Sequence, residues 1–329
     1  MEKNIVSLNL SNLWTPYMNN TMGTCVNKYA LQTITDPEIH QIFDTALQLS
    51  NDLVQKITVF FNNENFPIPH GFTDEDVHLN APRLFSDDFW LFYLHQMTIH
   101  GLTGYSLGLT TSHSSDVRQF YTEAYKRAAE LYDTTLEKLE SKGLLERTPK
   151  IVLPEKIEFA EKQSFLAGWF GNHRPLNVIE ISSLFFNLQK STLTKDLVLG
   201  FSQTAQSKEI RTFFKQVVEL AEEHISIFSS ILHDDFINST TSWDTHITDS
   251  QIAPFSDKLM MFHCAFLIQA AMAYYGTALA GSMRRDLGLK NSSAIARDVK
   301  LAEDCANIMI ANGWFEEPPH SVDRRELPK

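Results

Sequence analysis

The chain has 329 residues, which is enough for two domains, and its composition of 43% hydrophobic and 21% charged residues is that of a globular protein. Forty acidic residues against 28 basic ones give a net charge of −12, which repels polyphosphate and excludes nucleic acid as an expected partner. Only 13 glycines and 12 prolines are present, and this scarcity of helix breakers favours an all-α fold.

Cysteine use and the N-terminus indicate where the chain resides. Cys25, Cys264 and Cys305 are far apart and form no CxxC pair, which is typical of small buried side chains in a reducing compartment. Residues 1–4 lack the basic and apolar regions that open a secretory signal. The sequence therefore predicts a cytoplasmic protein.

One stretch is long enough to cross a membrane, because residues 259–283 contain no Asp, Glu, Lys or Arg. Polar residues such as His263 and Gln269 interrupt this stretch, and alanines and glycines make it small rather than strongly apolar. We therefore expect a central, fully buried helix of a bundle and no transmembrane segment.

The chain repeats itself with a shift of 170 to 171 residues, and the register holds from Glu38 to Gly143. The matching pairs are Glu38-Ile39 with Glu209-Ile210, Phe85-Ser86-Asp87 with Phe255-Ser256-Asp257, Tyr105 with Tyr275, and Gly143 with Gly313. A period of this length is too long for a solenoid unit. It indicates a duplicated domain.

Apolar residues at helical spacing, preceded by capping residues, predict four helices in each half. In chain order the first half has helices at about residues 13–32, 37–61, 86–109 and 115–143. The second half has helices at about residues 177–202, 208–232, 256–282 and 291–312. The last helix of each half stops at a glycine, which is the preferred residue after a helix C-terminus.

The connections predict how these helices are arranged. Short loops join the first two helices of each half, whereas residues 63–85 and 238–255 are long enough to run the length of a helix. A long middle crossover is the mark of a ferritin-like bundle. The fold prediction is therefore all-α, with ferritin-like four-helix bundles at 1–146 and 176–329, the latter with a polar tail, and a linker at 147–175 that adds a short helix near 159–170.

Several strings of the sequence support this fold through a resemblance. They are Phe66-Pro67-Ile68-Pro69, Gly71-Phe72-Thr73-Asp74-Glu75-Asp76-Val77, Leu79-Asn80-Ala81-Pro82-Arg83-Leu84, Gln163-Ser164-Phe165-Leu166, Leu199-Gly200-Phe201-Ser202-Gln203, Pro254-Phe255-Ser256-Asp257 and Ala306-Asn307-Ile308-Met309. They resemble a protein family that is found in endospore-forming bacteria and has no established activity. The resemblance implies tandem ferritin-like bundles distantly related to spore coat protein F.

A ferritin-like bundle raises the question of a metal site. Metal-binding members carry Glu-x-x-His on two helices, and this signature is absent from the chain. A looser set in the second half has one candidate ligand on each predicted helix, and these are Glu180, His224, His263 and Glu303. No cofactor is expected, and a di-iron or di-manganese centre on these residues is the alternative. Glu223 and His224 diverge by about 100° around a helix, so only one of them faces the bundle centre.

Other candidate residues are less distinctive. His40 with Asp44, and Gln96 with His100, have a spacing of four that suits either metal binding or an ordinary surface pair. Phosphate-binding loops and common hydrolase motifs are absent from the sequence. Three functions therefore stay open.

The first function is a non-enzymatic structural or interaction protein, linked to sporulation or the spore coat by the resemblance alone. Its partners would be spore coat components or further copies of the chain. The second is a metal-dependent oxidoreductase or metal-storage protein using the second bundle. The third is a bundle cavity that holds a small apolar ligand, which a large pocket lined by Phe, Met and Tyr would favour.

Overall fold

A computed structural model describes residues 12–152, 154–168 and 173–320. Within these ranges it contains eight α-helices: α1 Trp14–Thr33, α2 Pro37–Asn63, α3 Asp87–Thr111, α4 Ser115–Ser141, α5 Val178–Thr204, α6 Lys208–Asp234, α7 Asp257–Gly281 and α8 Arg285–Ala311. Three short 3-10 helices at Asp74–Asp76, Gln163–Leu166 and Asp244–His246 lie in the connections. The all-α prediction and the duplicated arrangement of two four-helix halves are confirmed.

The helix boundaries follow the predicted ones with two differences. Helix α8 begins at Arg285, six residues before its predicted start at Asn291. The short helix predicted near residues 159–170 is only the 3-10 turn Gln163–Leu166, and residues 169–172 lie outside the described ranges. The predictions for the N-terminal signal and the polar C-terminal tail concern residues 1–11 and 321–329, which are also outside them.

Local capping interactions explain why the helices begin and end where they do. The Asp36 side chain accepts hydrogen bonds from two N–H groups of the first turn of α2, with Pro37 at the first helical position. Ser86 and Ser256 cap α3 and α7 in the same way. Gly143 and Gly313, just beyond α4 and α8, have φ of +70° and +69°, a left-handed conformation that favours glycine.

The middle connection of each half runs the length of the bundle. The Asp87 carboxylate, at the start of α3, accepts hydrogen bonds from the N–H groups of Thr35 and Asp36, at the start of α2. Asp257 makes the equivalent bonds to the N–H groups just before α6. Helices α2 and α3, like α6 and α7, therefore start at the same end and run parallel, which requires the predicted crossover.

The two crossovers pair with each other across a pseudo-twofold axis. The Ser86 N–H donates to the His246 carbonyl, and the equivalent Ser256 N–H donates to the Asp76 carbonyl. Two further backbone bonds, from His78 to Pro254 and from Thr248 to Leu84, repeat the same symmetry. Each crossover is therefore held by the other half of the chain.

The bundles also share their core. Phe85 of the first crossover packs beside Gly200 of α5, while Phe255 of the second crossover packs edge-on against Tyr29 of α1 with ring centroids 5.3 Å apart. On the pseudo-axis, the Tyr93 hydroxyl is hydrogen-bonded to Nε2 of its own counterpart, His263, at 3.3 Å. The main hydrophobic core therefore runs through both halves, and a smaller second cluster lies inside α5 to α8.

Helix α7 is long and apolar enough, by length and composition, to cross a membrane, and half of its most apolar stretch is buried inside the protein. Its first half is buried around Met260, Met261 and His263, whereas Ala273, Thr277 and Leu279 of its second half are exposed. The prediction of a fully buried central helix is therefore correct only for the first half of α7. The second half is partly buried, since Tyr275 is hydrogen-bonded to Ser191 of α5 while the opposite face is exposed.

Candidate functional site

Glu180 is buried in the structure, but its carboxylate is already fully engaged. It accepts two hydrogen bonds of 2.8 Å from the Arg174 guanidinium and others from the backbone N–H groups of Asn177, Met283 and Arg284. Burial would raise the pKa of Glu180, but the bonds from Arg174 and the backbone outweigh it and hold this pKa below its ordinary value. The residue caps α5 and joins it to the start of α8.

The other three predicted ligands lie on separate parts of the protein. Nδ1 of His224 is hydrogen-bonded to the Tyr275 hydroxyl at 3.1 Å inside the second bundle, and burial lowers the pKa of this histidine to about 4. His263 is paired with Tyr93 on the pseudo-axis, where burial lowers its pKa to about 3. Glu303 is exposed on α8.

The structure therefore does not bring Glu180, His224, His263 and Glu303 together. Within residues 12–152, 154–168 and 173–320, it forms no group of three or more His, Cys, Asp or Glu side chains that could hold a metal ion. A metal centre on the four residues stays a prediction. The divergence of Glu223 from His224 is confirmed, because His224 is buried while Glu223 is exposed and paired with Arg297.

Gln96 and His100 are not a surface pair, since they are 1% and 8% exposed at the contact between the two halves. Nδ1 of His100 is hydrogen-bonded to the Tyr274 hydroxyl at 2.9 Å. The Lys190 ammonium lies 5.6 Å from the centre of the Tyr274 ring and donates a hydrogen bond of 3.4 Å to the Gln96 carbonyl. It pairs with no carboxylate among the described residues, and burial lowers its pKa well below the ordinary value. Burial, together with this lysine and His263, likewise lowers the pKa of His100.

A cavity of about 370 Å³ lies inside the first bundle, and it is the candidate functional site. Residues of α1 and α3 form its long walls, and residues of α2 and α4 close the side between them. Phe266 of α7, from the second half, also lines it. Its apolar surface comes mainly from Met22, Leu49, Leu94, Met97, Tyr105 and Leu131. Among the residues that the structure describes, no Asp, Glu, Lys or Arg lines it.

Comparison of the two halves explains why the cavity exists. In the second bundle, Phe186, Lys190 and Tyr274 fill the equivalent space, with the Phe186 and Tyr274 rings 4.9 Å apart and the Lys190 ammonium 5.1 Å from the Phe186 ring. Their counterparts in the first bundle, by the 170 to 171 shift, are Thr15, Asn19 and Gly104, and all three line the cavity. The cavity is the volume that these smaller side chains leave unfilled.

Equivalent hydrogen bonds in the two halves show which residues correspond at this site. Tyr105 of α3 is hydrogen-bonded to the Asn20 amide at 3.3 Å, and its counterpart Tyr275 is hydrogen-bonded to Ser191, the counterpart of Asn20, at 3.0 Å. The same cross-bundle link therefore holds α1 to α3 and α5 to α7. The smaller residues Asn19 and Gly104 directly precede Asn20 and Tyr105, and Thr15 lies about one helical turn before Asn19.

The aligned halves of the sequence contain a signal for the cavity, which the search for matching residues passes over because it is a difference between the halves. Aligning the halves on Tyr105 and Tyr275 sets Gly104 against Tyr274, and a glycine opposite a tyrosine in a packed bundle leaves space. The idea of a cavity lined by Phe, Met and Tyr agrees with Phe266, Met22, Met97 and Tyr105 in the lining.

Comparisons with known proteins identify relatives but no activity. A family model described as a protein of unknown function, DUF3231, matches residues 1–157 and again residues 164–327. No curated protein matches the chain. Among solved structures, a proposed spore coat protein from Bacillus halodurans C-125 is similar, with 14% identity and a TM-score of 0.42 over 46% of this chain and 98% of that one. That similarity is too low to carry function across.

Proposed function

The chain belongs to the DUF3231 family of proteins of unknown function, and from this premise we propose that it is a non-catalytic protein that binds a small, uncharged molecule in its first bundle. The observation that carries the proposal is the cavity of about 370 Å³, whose described lining contains no Asp, Glu, Lys or Arg. Small-molecule sites typically have volumes of about 300–1,000 Å³ and mainly apolar walls. A charged ligand would lose its hydration there without gaining a counter-charge.

The titratable groups in the cavity support binding rather than catalysis. A general acid or base needs a pKa near the working pH. Burial instead lowers the pKa of His100 and raises the pKa of Tyr93, Tyr105 and Tyr121, so all four stay uncharged around neutral pH. None of them is an activated nucleophile or a poised proton carrier.

The experiment is a titration of the full chain with N-phenyl-1-naphthylamine, a neutral apolar dye whose fluorescence rises when it leaves water. We expect saturable binding of one dye per chain. Gly104→Tyr copies the filled second bundle into the first, and a Cβ at Gly104 meets no atom within 4 Å. This variant should weaken dye binding at least tenfold.

Ser106→Tyr is the matched control, because Ser106 is exposed on the same helix and does not line the cavity. It should bind the dye as the wild type does. Far-UV circular dichroism checks that both variants fold. Dye binding that is absent from the wild type, or that Gly104→Tyr leaves unchanged in a folded protein, would refute the proposed function.

A structural role through protein contacts is the second candidate function, and an exposed apolar patch favours it. Val178, Ile179 and Met283 are each about half exposed at one end of the second bundle, where Ile179 lies beside Gly281. We propose that a second copy of the chain covers this patch. We also propose that the protein is associated with the spore, as its sequence resemblance implies. Sedimentation equilibrium should show concentration-dependent dimers that Ile179→Lys abolishes; a monomer at all concentrations contradicts this.

A further inference from the structure

The shape of the first-bundle cavity restricts the molecule that fits it, provided that the cavity binds a ligand as proposed above. Its lining extends along α1 from Thr15 to Asn27 and along α3 from Tyr93 to Thr111. At a rise of about 1.5 Å per residue, these stretches are about 18 Å and about 27 Å long. A volume of about 370 Å³ is therefore distributed along about 20 Å of helix, and the cavity is elongated.

The two ends of the cavity differ in exposure. At the outer end, Thr15, Gly104 and Thr111 are exposed, so this end opens toward the surface. At the inner end, Ala46 and Leu94 are 3% and 4% exposed. Asn27 also lines this end and is 5% exposed. A ligand therefore enters from the outer end and extends inward to a closed end that is apolar except for Asn27.

We propose that the ligand is a single linear alkyl chain with an uncharged polar head group. An elongated and mainly apolar cavity suits a polymethylene chain, which can extend along α1 and α3. Met22 and Met97 line the middle of the cavity, and their flexible thioether side chains adapt to a chain of variable conformation. The tail lies toward Ala46 and Leu94, at the closed end.

The chemistry of the outer end selects the head group. The polar side chains there are amides and hydroxyls, from Asn12, Asn19 and Thr111, and these can hydrogen-bond to an alcohol, ester or amide. A carboxylate or phosphate would need Lys or Arg, and neither residue type is among the described residues that line the cavity. The geometry therefore points to a neutral amphiphile rather than a fatty acid or phospholipid.

The test is displacement of N-phenyl-1-naphthylamine from the full chain by straight-chain primary alcohols from hexanol to hexadecanol, each below its solubility limit. Each added methylene should tighten binding about fourfold, since about 0.8 kcal/mol is gained per buried CH₂. The gain should stop at the chain length that fills the cavity. Carboxylates of the same chain lengths, measured at pH 8, should displace the dye less well.

Ala46→Leu places a larger apolar side chain at the closed end, so the gain per methylene should stop at a shorter chain while dye binding persists. Two results would overturn the alkyl chain and leave the proposed function intact. The first is that alcohol affinity does not depend on chain length. The second is that alcohols fail to displace the dye although Gly104→Tyr weakens dye binding. Carboxylates that displace the dye as well as alcohols do would overturn the neutral head group. Absence of saturable dye binding would instead remove the proposed function.

Discussion

Replacement of Gly200 by alanine tests whether the two halves fold around one core. Gly200 lies on α5 in the second half, and a Cβ at this position would be 2.5 Å and 2.7 Å from two ring carbons of Phe85 in the first half. Carbon atoms in contact are normally about 3.5–4.0 Å apart, so the ring would have to move by about 1 Å. The Phe85 ring is fully buried and stacks on Phe89 with centroids 4.6 Å apart, which leaves it no free space.

Overpacking of this kind costs about 1–3 kcal/mol, and we expect Gly200→Ala to lower the free energy of unfolding by that amount. Gly276→Ala is the matched control, because Gly276 is also in a helix interior but a Cβ there meets no atom within 4 Å. That variant should gain about 0.5–1 kcal/mol from the better helix propensity of alanine.

Urea unfolding followed by circular dichroism and tryptophan fluorescence measures both variants. Because Phe85 and Gly200 belong to different halves, Gly200→Ala should shift one common transition seen by both probes. A Gly200→Ala variant as stable as the wild type would refute the close packing. Two separate transitions, of which only one shifts, would refute the shared core.

Three further predictions concern single residues. Burial raises the pKa of Asp298 to about 7, whereas the same carboxyl in the unfolded chain ionises near pH 4, so the folded state loses stability as the pH rises from about 4 to about 7. Asp298→Asn should therefore be about 2–4 kcal/mol more stable than the wild type at pH 8 and equally stable at pH 4. A stability difference that does not depend on pH would contradict this assignment. Phe236 is 98% exposed with φ of +59°, so Phe236→Gly should raise the free energy of unfolding by about 1 kcal/mol, and an unchanged melting temperature argues against strain there. Elemental analysis of protein purified without chelator should show no stoichiometric iron or manganese, because Arg174 already occupies the Glu180 carboxylate; one metal per chain that His224→Ala removes would establish the metal site.

The sequence by itself determined the helices, their ends and the crossovers. These features depend on residues within a few positions of one another: the Asp36 cap, the glycines after α4 and α8, and the spacing of apolar side chains. The early start of α8 was not predicted because Arg284 before it provides no side-chain cap and Gly288 near its start disfavours a helix.

Only the tertiary structure decided how the halves join and where space remains. Lys190 and Asn19 occupy equivalent positions, yet the lysine is buried against Tyr274 while the asparagine lines an open cavity. Likewise, Glu180 was a reasonable ligand by position, but it is engaged by Arg174 of the preceding linker. A cavity and a convergent ligand set both depend on side chains that are distant in sequence, and their volumes and directions combine only when the helices have packed.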